Sequence, residues 1–201
     1  MDNLVENIHL IESLYKDIDG MSISLNGRKG FKYDRVGDLT YGELTVTELL
    51  NIFSRMELTS DMHFIDLGSG TGKITLFASI LYPFLSYQGI EIVTSLHDIA
   101  KNKLKQFQSN KDRKYPINFK NENFLTMKFP KDCYCFYTNC LCFSDKTCDQ
   151  IELIIENSSI GSYLFSTKEV NLSSKFIKEN EIENCSVSWG KNSIFIYKKI
   201  N

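Results

Sequence analysis

The segment His63-Phe-Ile-Asp-Leu67 runs directly into Gly68-Ser-Gly-Thr-Gly72-Lys73. A short apolar strand that ends in alternating glycines and opens a helix leaves few architectures available. Glycine reaches backbone conformations closed to other residues and lets a ligand approach the chain closely. The N-terminus of the helix that follows supplies N–H groups without intrahelical partners. In open α/β sheets, ligands bind at the carboxyl ends of the strands, beside the point where strand order reverses.

The rest of the chain agrees with that architecture. Residues 72–82 read as an apolar helix, 87–91 as a strand, 95–108 as a helix, 116–120 and 133–138 as strands, 146–157 as a helix and 161–166 as a strand. Such alternation implies a doubly wound, mostly parallel sheet covered on both faces. Strands at 183–187 and 193–198, joined by Gly190-Lys191-Asn192, predict an antiparallel hairpin that completes a seven-stranded α/β sheet.

Upstream, residues 3–18 predict an amphipathic helix with Leu4, Ile8, Ile11, Leu14 and Tyr15 on one face. Residues 45–57 predict a second helix with Val46, Leu49, Leu50 and Phe53 inward. Between them, residues 19–40 carry Gly20, Gly27, Gly30 and Gly37 and read as a long irregular connection, which is more often functional than inert. The expected organisation is an N-terminal helix and covering loop at 1–44, ahead of one compact α/β domain at 45–201.

Two acids sharpen the glycine signal. Asp66 precedes the glycines almost immediately, and a carboxylate there suits a cationic, amine-bearing ligand better than a pyrophosphate. Glu91 ends the next strand, about twenty residues on, where an acid accepts hydrogen bonds from two ribose hydroxyls. The segment is not G-x-x-x-x-G-K-[ST], so the phosphate-cradling P-loop is excluded. A glycine turn without ligand and a dinucleotide site are the competing readings of the turn taken alone.

Composition narrows the partners. The 201-residue chain is 42% hydrophobic with a net charge of -2, a globular balance that argues against gripping nucleic acid by bulk electrostatics. Its densest basic stripe, Lys101, Lys103, Lys105, Lys111, Arg113 and Lys114, reads as a solvated helix face and the loop after it. No apolar run approaches the roughly 20 residues that span a bilayer. Asp2, Glu6 and Glu12 deny the N-terminus the character of a signal peptide, so the expected compartment is intracellular, nucleus or cytoplasm. Cys133, Cys135, Cys140, Cys142 and Cys148 cluster, with Cys185 apart. The C-x-C spacings suit alternation along a buried strand better than the C-x₂₋₄-C loops of structural zinc, and no metal site is expected.

Asp66, the glycine turn and Glu91 together resemble the class I S-adenosylmethionine-dependent methyltransferases. The resemblance implies S-adenosylmethionine as cofactor, with Asp66, Gly68, Ser69, Gly70, Gly72 and Lys73 beside its methionine part and Glu91 on its ribose. It also implies that Asn123 bonds the adenine amino group and that Phe124 stacks on the ring.

A narrower likeness emerges from four scattered segments: Tyr41-Gly-Glu43, Asn139-Cys-Leu-Cys-Phe143, Ser162-Tyr-Leu-Phe-Ser-Thr-Lys168 and Ser186-Val-Ser-Trp-Gly-Lys191. In this order and spacing they resemble the disruptor-of-telomeric-silencing family, the non-SET histone lysine methyltransferases, over about residues 35–200. The resemblance implies that Tyr41 and Glu43 lie in a loop over the cofactor and that Asn139 aligns the incoming amine beside the transferred methyl. It also implies that Phe143 and Phe195 line an apolar lysine channel supported by Trp189. The implied partner is a protein with an accessible lysine, histone or nucleosome included.

Departures from the pattern are Phe195 where a channel tyrosine is expected, a hairpin turn one residue shorter, Ser144 in place of glycine and Asn123 in place of aspartate. These 201 residues also include no long basic stretch of the kind expected to hold DNA. Methylation of another protein or of a small amine, and a silent cofactor-binding scaffold, are the alternative functions. An amino-methylating [NDS]-P-P-[YFW] tetrapeptide is absent, since Thr138-Asn-Cys-Leu141 stands in its place.

Overall fold

The computed structural model describes residues 4–29, 31, 36–110, 115–188 and 190–201. Three helices precede the sheet: α1 (Leu4–Tyr15), α2 (Gly20–Gly27) and α3 (Val46–Phe53). The alternating part then runs β1 (His63–Leu67), α4 (Lys73–Leu81), β2 (Ser86–Ile90), α5 (Thr94–Ser109), β3 (Ile117–Lys120), β4 (Tyr134–Thr138), α6 (Asp145–Ile155) and β5 (Tyr163–Ser166). The long hairpin β6 (Phe176–Val187) and β7 (Gly190–Lys199) closes the chain.

The seven strands form one sheet in the order β3-β2-β1-β4-β5-β7-β6. The first five are parallel, and β7 runs antiparallel to both β5 and β6. The chain moves outward from β1 through β2 to β3, then returns to add β4 on the other side of β1. That reversal opens a crevice at the carboxyl ends of β1 and β4, between Gly68 and Asn139.

Side-chain alternation divides the core between the two faces of the sheet. Phe64, Cys135, Tyr137, Phe165 and Ile196 face α1, α3, α4 and α5. Phe53 from α3 packs edge-on against Phe64 at 6.1 Å, Phe84 at 5.6 Å and Phe165 at 6.1 Å. Each such pair is worth ~0.5–1.5 kcal/mol beyond the area it buries. Ile65, Leu67, Phe136, Leu164 and Tyr197 face the opposite way, toward Ile151, Ile154 and Ile155 of α6. The central strands are therefore apolar on both sides, as a buried parallel sheet requires. No helix among the described residues is long and apolar enough to cross a membrane.

Local chemistry sets the helix starts. The Thr45 hydroxyl caps α3 by accepting the Glu48 N–H, and the Glu48 carboxylate accepts the Ser186 N–H at 2.8 Å, which fastens α3 to β6. On α5, Leu96, Ala100, Leu104 and Phe107 form the buried stripe while Lys101 and Lys105 face solvent. Lys111, Arg113 and Lys114 lie outside the described residues.

Four expectations are corrected. Residues 19–40 hold α2, capped by Asp19 through the Ser22 N–H at 3.0 Å, and a 3-10 turn at Val36–Leu39, rather than a wholly irregular connection. In α3 the inward residues are Leu49, Ile52 and Phe53, whereas Leu50 is 40% exposed. In α1, Leu4 is also 40% exposed, and Asn7 takes the buried place one turn before Ile11. The hairpin reverses between Val187 and Gly190, which pair with each other, so Gly190-Lys191-Asn192 lies within β7 instead of forming the turn.

Candidate active site

The crevice beside the β1–β4 reversal is a cleft, and both faces of the sheet contribute to its walls. Asp66, penultimate in β1, is 1% exposed. One of its oxygens accepts the Thr75 hydroxyl of α4 at 2.9 Å; the other has no partner within the chain. Burial, partly offset by the Thr75 bond, pushes its pKa up to about 7, with the charges of Glu91 and Glu43 adding to the rise.

Glu91 follows β2 and accepts two backbone N–H bonds at 2.8 Å, from Gly70 and from Val93. Burial raises its pKa, opposed by these N–H donors. The glycine turn is held by further internal bonds. The Gly68 and Ser69 N–H groups both reach the Ile90 carbonyl at 2.9 Å, and Gly72 N–H reaches the Ser69 carbonyl at 2.8 Å. The Gly68, Ser69, Gly70 and Gly72 N–H groups are thus all engaged within the chain, and the turn does not form a phosphate nest. What the turn offers instead is close approach and acid.

Residues 36–44 cross the mouth of the cleft as a strap, tied down at several points. The Asp38 carboxylate caps α6, accepting the Ser144 N–H at 2.6 Å and the Thr147 hydroxyl. The Gly42 carbonyl accepts the Asn139 side-chain amide at 2.7 Å. The Glu43 N–H donates to the Ser188 hydroxyl at 3.0 Å, the Glu43 carbonyl accepts the Ser188 N–H at 2.8 Å, and Leu44 bridges to Val187 of β6. The Tyr41 hydroxyl donates to Glu43 and lies 3.0 Å from the Thr71 hydroxyl, which itself donates to Glu43 at 2.9 Å. Burial, then the Glu43 charge, holds the Tyr41 phenol far above its ordinary pKa.

The Tyr41 ring fits between two glycines. A Cβ on Gly20 would fall 2.3 Å from a ring carbon, and one on Gly70, whose φ is +54°, would fall 2.7 Å away. Only glycine leaves room for the ring at either place.

Asn139 follows β4 directly. Its carbonyl oxygen accepts the Thr167 hydroxyl at 2.8 Å while its amide holds the strap, so the side chain is braced from two sides. Phe124 opens a 3-10 turn after β3, and Phe143 lies stacked against it, with centroids 5.8 Å apart and an interplanar angle of 24°. Both rings line the cleft.

The structure thus gathers Tyr41, Glu43, Asp66, Gly68, Ser69, Gly70, Glu91, Phe124, Asn139 and Phe143 around one cavity. Other residues named from the sequence are placed elsewhere. Gly72 backs onto Phe119 and Ala100, and Lys73 stands behind the wall, 3.7 Å from the Glu43 carboxylate. The Asn123 side chain caps the Phe124 turn through the Leu125 N–H at 3.0 Å. Phe195, paired with Ser166 and Glu181 in β7, does not line this cleft and has Lys178 over its ring at 5.6 Å. Trp189 lies outside the described residues.

Sequence reading missed Asp38, Thr40, Ile74, Leu96 and Tyr137, which also line the cleft. Asp38 alone had a local signal, three residues ahead of Tyr41. Cys135, Cys140 and Cys148 are buried, and among the described residues no group of three His, Cys, Asp or Glu side chains could hold a metal ion.

Three buried polar atoms along the cleft hold no hydrogen bond within the chain: Asp66 Oδ1, Ser69 Oγ and the Tyr137 hydroxyl. Unpaired buried groups are costly, and an amine-bearing, hydroxyl-rich ligand would satisfy them. That donor set fits S-adenosylmethionine: buried acid for an ammonium, a second acid for sugar hydroxyls and an aromatic pair for a base.

Known proteins resemble this chain in sequence and in fold. The family described as histone methylation protein DOT1 matches residues 20–197. The H3 lysine-79 specific histone-lysine N-methyltransferase of Kluyveromyces lactis is 26% identical over 195 residues, covering 86% of this chain and 34% of its own length. The enzyme of the same name from Eremothecium gossypii is 28% identical over 171 residues, covering 80% of this chain and 29% of its own length. The chain thus spans about a third of the length of these curated relatives.

Among solved structures, mitomycin 7-O-methyltransferase superposes with a TM-score of 0.60 at 12% identity, covering 97% of this chain and 66% of that one. Magnesium protoporphyrin IX methyltransferase from Synechocystis PCC 6803 superposes with a TM-score of 0.59 at 11% identity, covering 96% and 97%. These two likenesses establish a Rossmann-like methyltransferase fold. With the family matched from α2 into β7, the chain belongs to the DOT1 histone-methylation family.

Proposed function

We propose that this protein is an S-adenosylmethionine-dependent protein-lysine N-methyltransferase, with residues 1–44 covering the cofactor and 45–201 forming the transferase body. The observation that carries the reading is Asn139, braced between the strap and Thr167 just after β5, at the rim of a cleft walled by buried acids and stacked phenylalanines. Asp66 would hold the cofactor's ammonium, Glu91 its ribose and Phe124 its adenine. When bound, S-adenosylmethionine supplies a methyl group on a sulfonium, open to in-line attack by an amine.

The chain's own work is positioning and desolvation. Asn139, immobilised through both ends of its amide, presents the second lone pair of its carbonyl toward an incoming N–H. Phe143 covers Gly68 and excludes water from the amine's path. An apolar passage disfavours the ammonium form and so lowers the acceptor lysine's pKa toward the neutral nucleophile. Tyr41 and Glu43 close the methionine end.

Histone lysines are the first acceptor class, by family, and would place the protein in the nucleus. The net charge of -2 supports a second class, lysines on proteins not wrapped in DNA. Transfer of radiolabelled methyl to nucleosomes, free histones, total protein extract and RNA distinguishes these. We expect label in protein, stable to alkali and recovered as methyl-lysine on amino-acid analysis. Asn139→Ala should lower transfer by about a hundredfold or more while cofactor affinity changes only a few-fold. Label confined to RNA, or full activity in Asn139→Ala, would overturn the reading.

A further inference from the structure

Tyr137 is the one buried aromatic side chain of the cleft whose role neither the fold nor the proposed chemistry accounts for. It sits in β4 directly opposite Asp66 in β1, so the two side chains project to the same side of the sheet from neighbouring strands. Its ring stacks on Phe165 of β5, with centroids 4.8 Å apart and an interplanar angle of 24°, which fixes the direction of the hydroxyl. The residue is 2% exposed, and its hydroxyl holds no bond within the chain. Packing alone would be served by phenylalanine, as it is at Phe165 beneath it. A buried phenol keeps its hydroxyl at a cost unless a partner arrives.

The partner's chemistry follows from what the cleft otherwise lacks. An amino-acid end carries one cationic and one anionic group. Asp66, with a free oxygen, meets the cation. The other carboxylates along the cleft, Asp38, Glu43 and Glu91, cannot serve an anion. Of the hydroxyls lining the cleft, that of Tyr41 donates to Glu43 and that of Thr40 to the Gly37 carbonyl. The Asn139 amide is turned to Gly42. Ser69 Oγ lies against Gly89 of β2, where an added Cβ would come within 2.7 Å of it, and so belongs to the sugar side with Glu91. Tyr137 is left as the unpaired donor beside Asp66.

We propose that Tyr137 is a cofactor-recognition residue whose hydroxyl donates to the α-carboxylate of the cofactor's amino-acid end while Asp66 takes the ammonium. The assignment rests on the S-adenosylmethionine reading above. Burial, then the Asp66 charge, holds the phenol well above its ordinary pKa, so the group remains a donor throughout the neutral range. Tyr137 and Asp66 thus form a matched pair for a zwitterion, and the cleft selects ligands that carry both charges.

Titration calorimetry on the full chain tests this with two probes, S-adenosylhomocysteine and its decarboxylated analogue, which keeps the amine. Tyr137→Phe removes the hydroxyl and keeps the ring on Phe165. The variant should bind S-adenosylhomocysteine about tenfold more weakly than the parent protein, and the decarboxylated analogue equally well. Retained binding of the analogue also certifies that the variant is folded. Unchanged affinity for S-adenosylhomocysteine, or an equal loss for both probes, would overturn the role in carboxylate recognition. Failure of the parent protein to bind either probe would instead overturn the cofactor reading, and this assignment with it.

Discussion

On the proposed reading Asp66 carries two demands at once: it must stay folded inside a dry strand end, and it must be negative when a cation arrives. Folding moves its carboxyl from a pKa near 4 in an unfolded chain to about 7. The folded state therefore holds this proton more tightly than the unfolded one. Its contribution to the ligand-free protein is fully present below about pH 4 and is lost as pH rises through about 7. A cationic ligand reverses the preference by favouring the carboxylate, so binding near pH 7 should expel a proton. Calorimetry in buffers of different ionisation enthalpy will show proton release on cofactor binding at pH 6.5–7 in the parent protein and little in Asp66→Asn. Identical buffer dependence in the two proteins would remove Asp66 from the ligand's ammonium. The place of Asp66 and Glu91 at the cleft was legible in the sequence because each stands at the end of a strand, beside the glycine turn or one strand on from it. Asp38 was not, because its carboxylate finds its purpose 106 residues away at Ser144, and a linear pattern carries no trace of such a bond. Tyr137 read as one more aromatic of a buried strand; only its unpaired hydroxyl marks it out.

At the scale of elements, glycine misled where it serves contact rather than turning. Gly20 and Gly27 punctuate residues 19–40 like a loop, yet they begin and end α2, and Gly20 is there to admit the Tyr41 ring. The helix escaped notice for a second reason: Met21 and Leu25 are 41% and 43% exposed, so no apolar stripe announces it. The antiparallel hairpin was legible, but the start of β6 and the place of the turn were not. Lys178, Glu179, Glu181 and Glu183 crowd an edge strand whose outer side faces water, and bulges after Lys178 and Ile182 break its alternation. The centre of the sheet, by contrast, was legible, because β1, β4 and β5 are buried on both faces and cannot hide their apolar runs. The Gly20 contact gives a test remote from any ligand. Gly20→Ala leaves the cleft's own residues intact but drives a methyl group into the Tyr41 ring. We expect faster proteolytic cleavage within residues 36–44 and roughly tenfold weaker cofactor binding, with the overall melting temperature lowered by only a few degrees. Unchanged cleavage and unchanged affinity would show that Tyr41 does not hold the strap.

For the whole molecule, the cleft is where the two halves of the core meet. Tyr137 and Ile74 belong to the cluster under α1, α3, α4 and α5, while Phe124 and Phe143 belong to the packing around α6. The strap adds a third party, since Asp38 caps α6 while Tyr41 reaches Thr71 ahead of α4. A ligand seated there would touch residues from both sides of the sheet and from the strap together. Its binding free energy should then appear in the unfolding of the entire chain. At a concentration 100 times its dissociation constant, a ligand specific for the folded state stabilises by about 2.7 kcal/mol. In a protein of this size that corresponds to a rise of roughly 5–10 °C in melting temperature. S-adenosylhomocysteine should shift a single cooperative transition by that amount, followed alike by far-ultraviolet circular dichroism and by tyrosine absorbance. Glu91→Gln, measured at the same ligand concentration, should show a smaller shift, because the site loses an acceptor for the ribose. The form of the melt decides how the coupling works. If only one of two phases moved with ligand, the strap would be melting independently of the sheet, and the cleft would be closed by the ligand rather than built before it arrives.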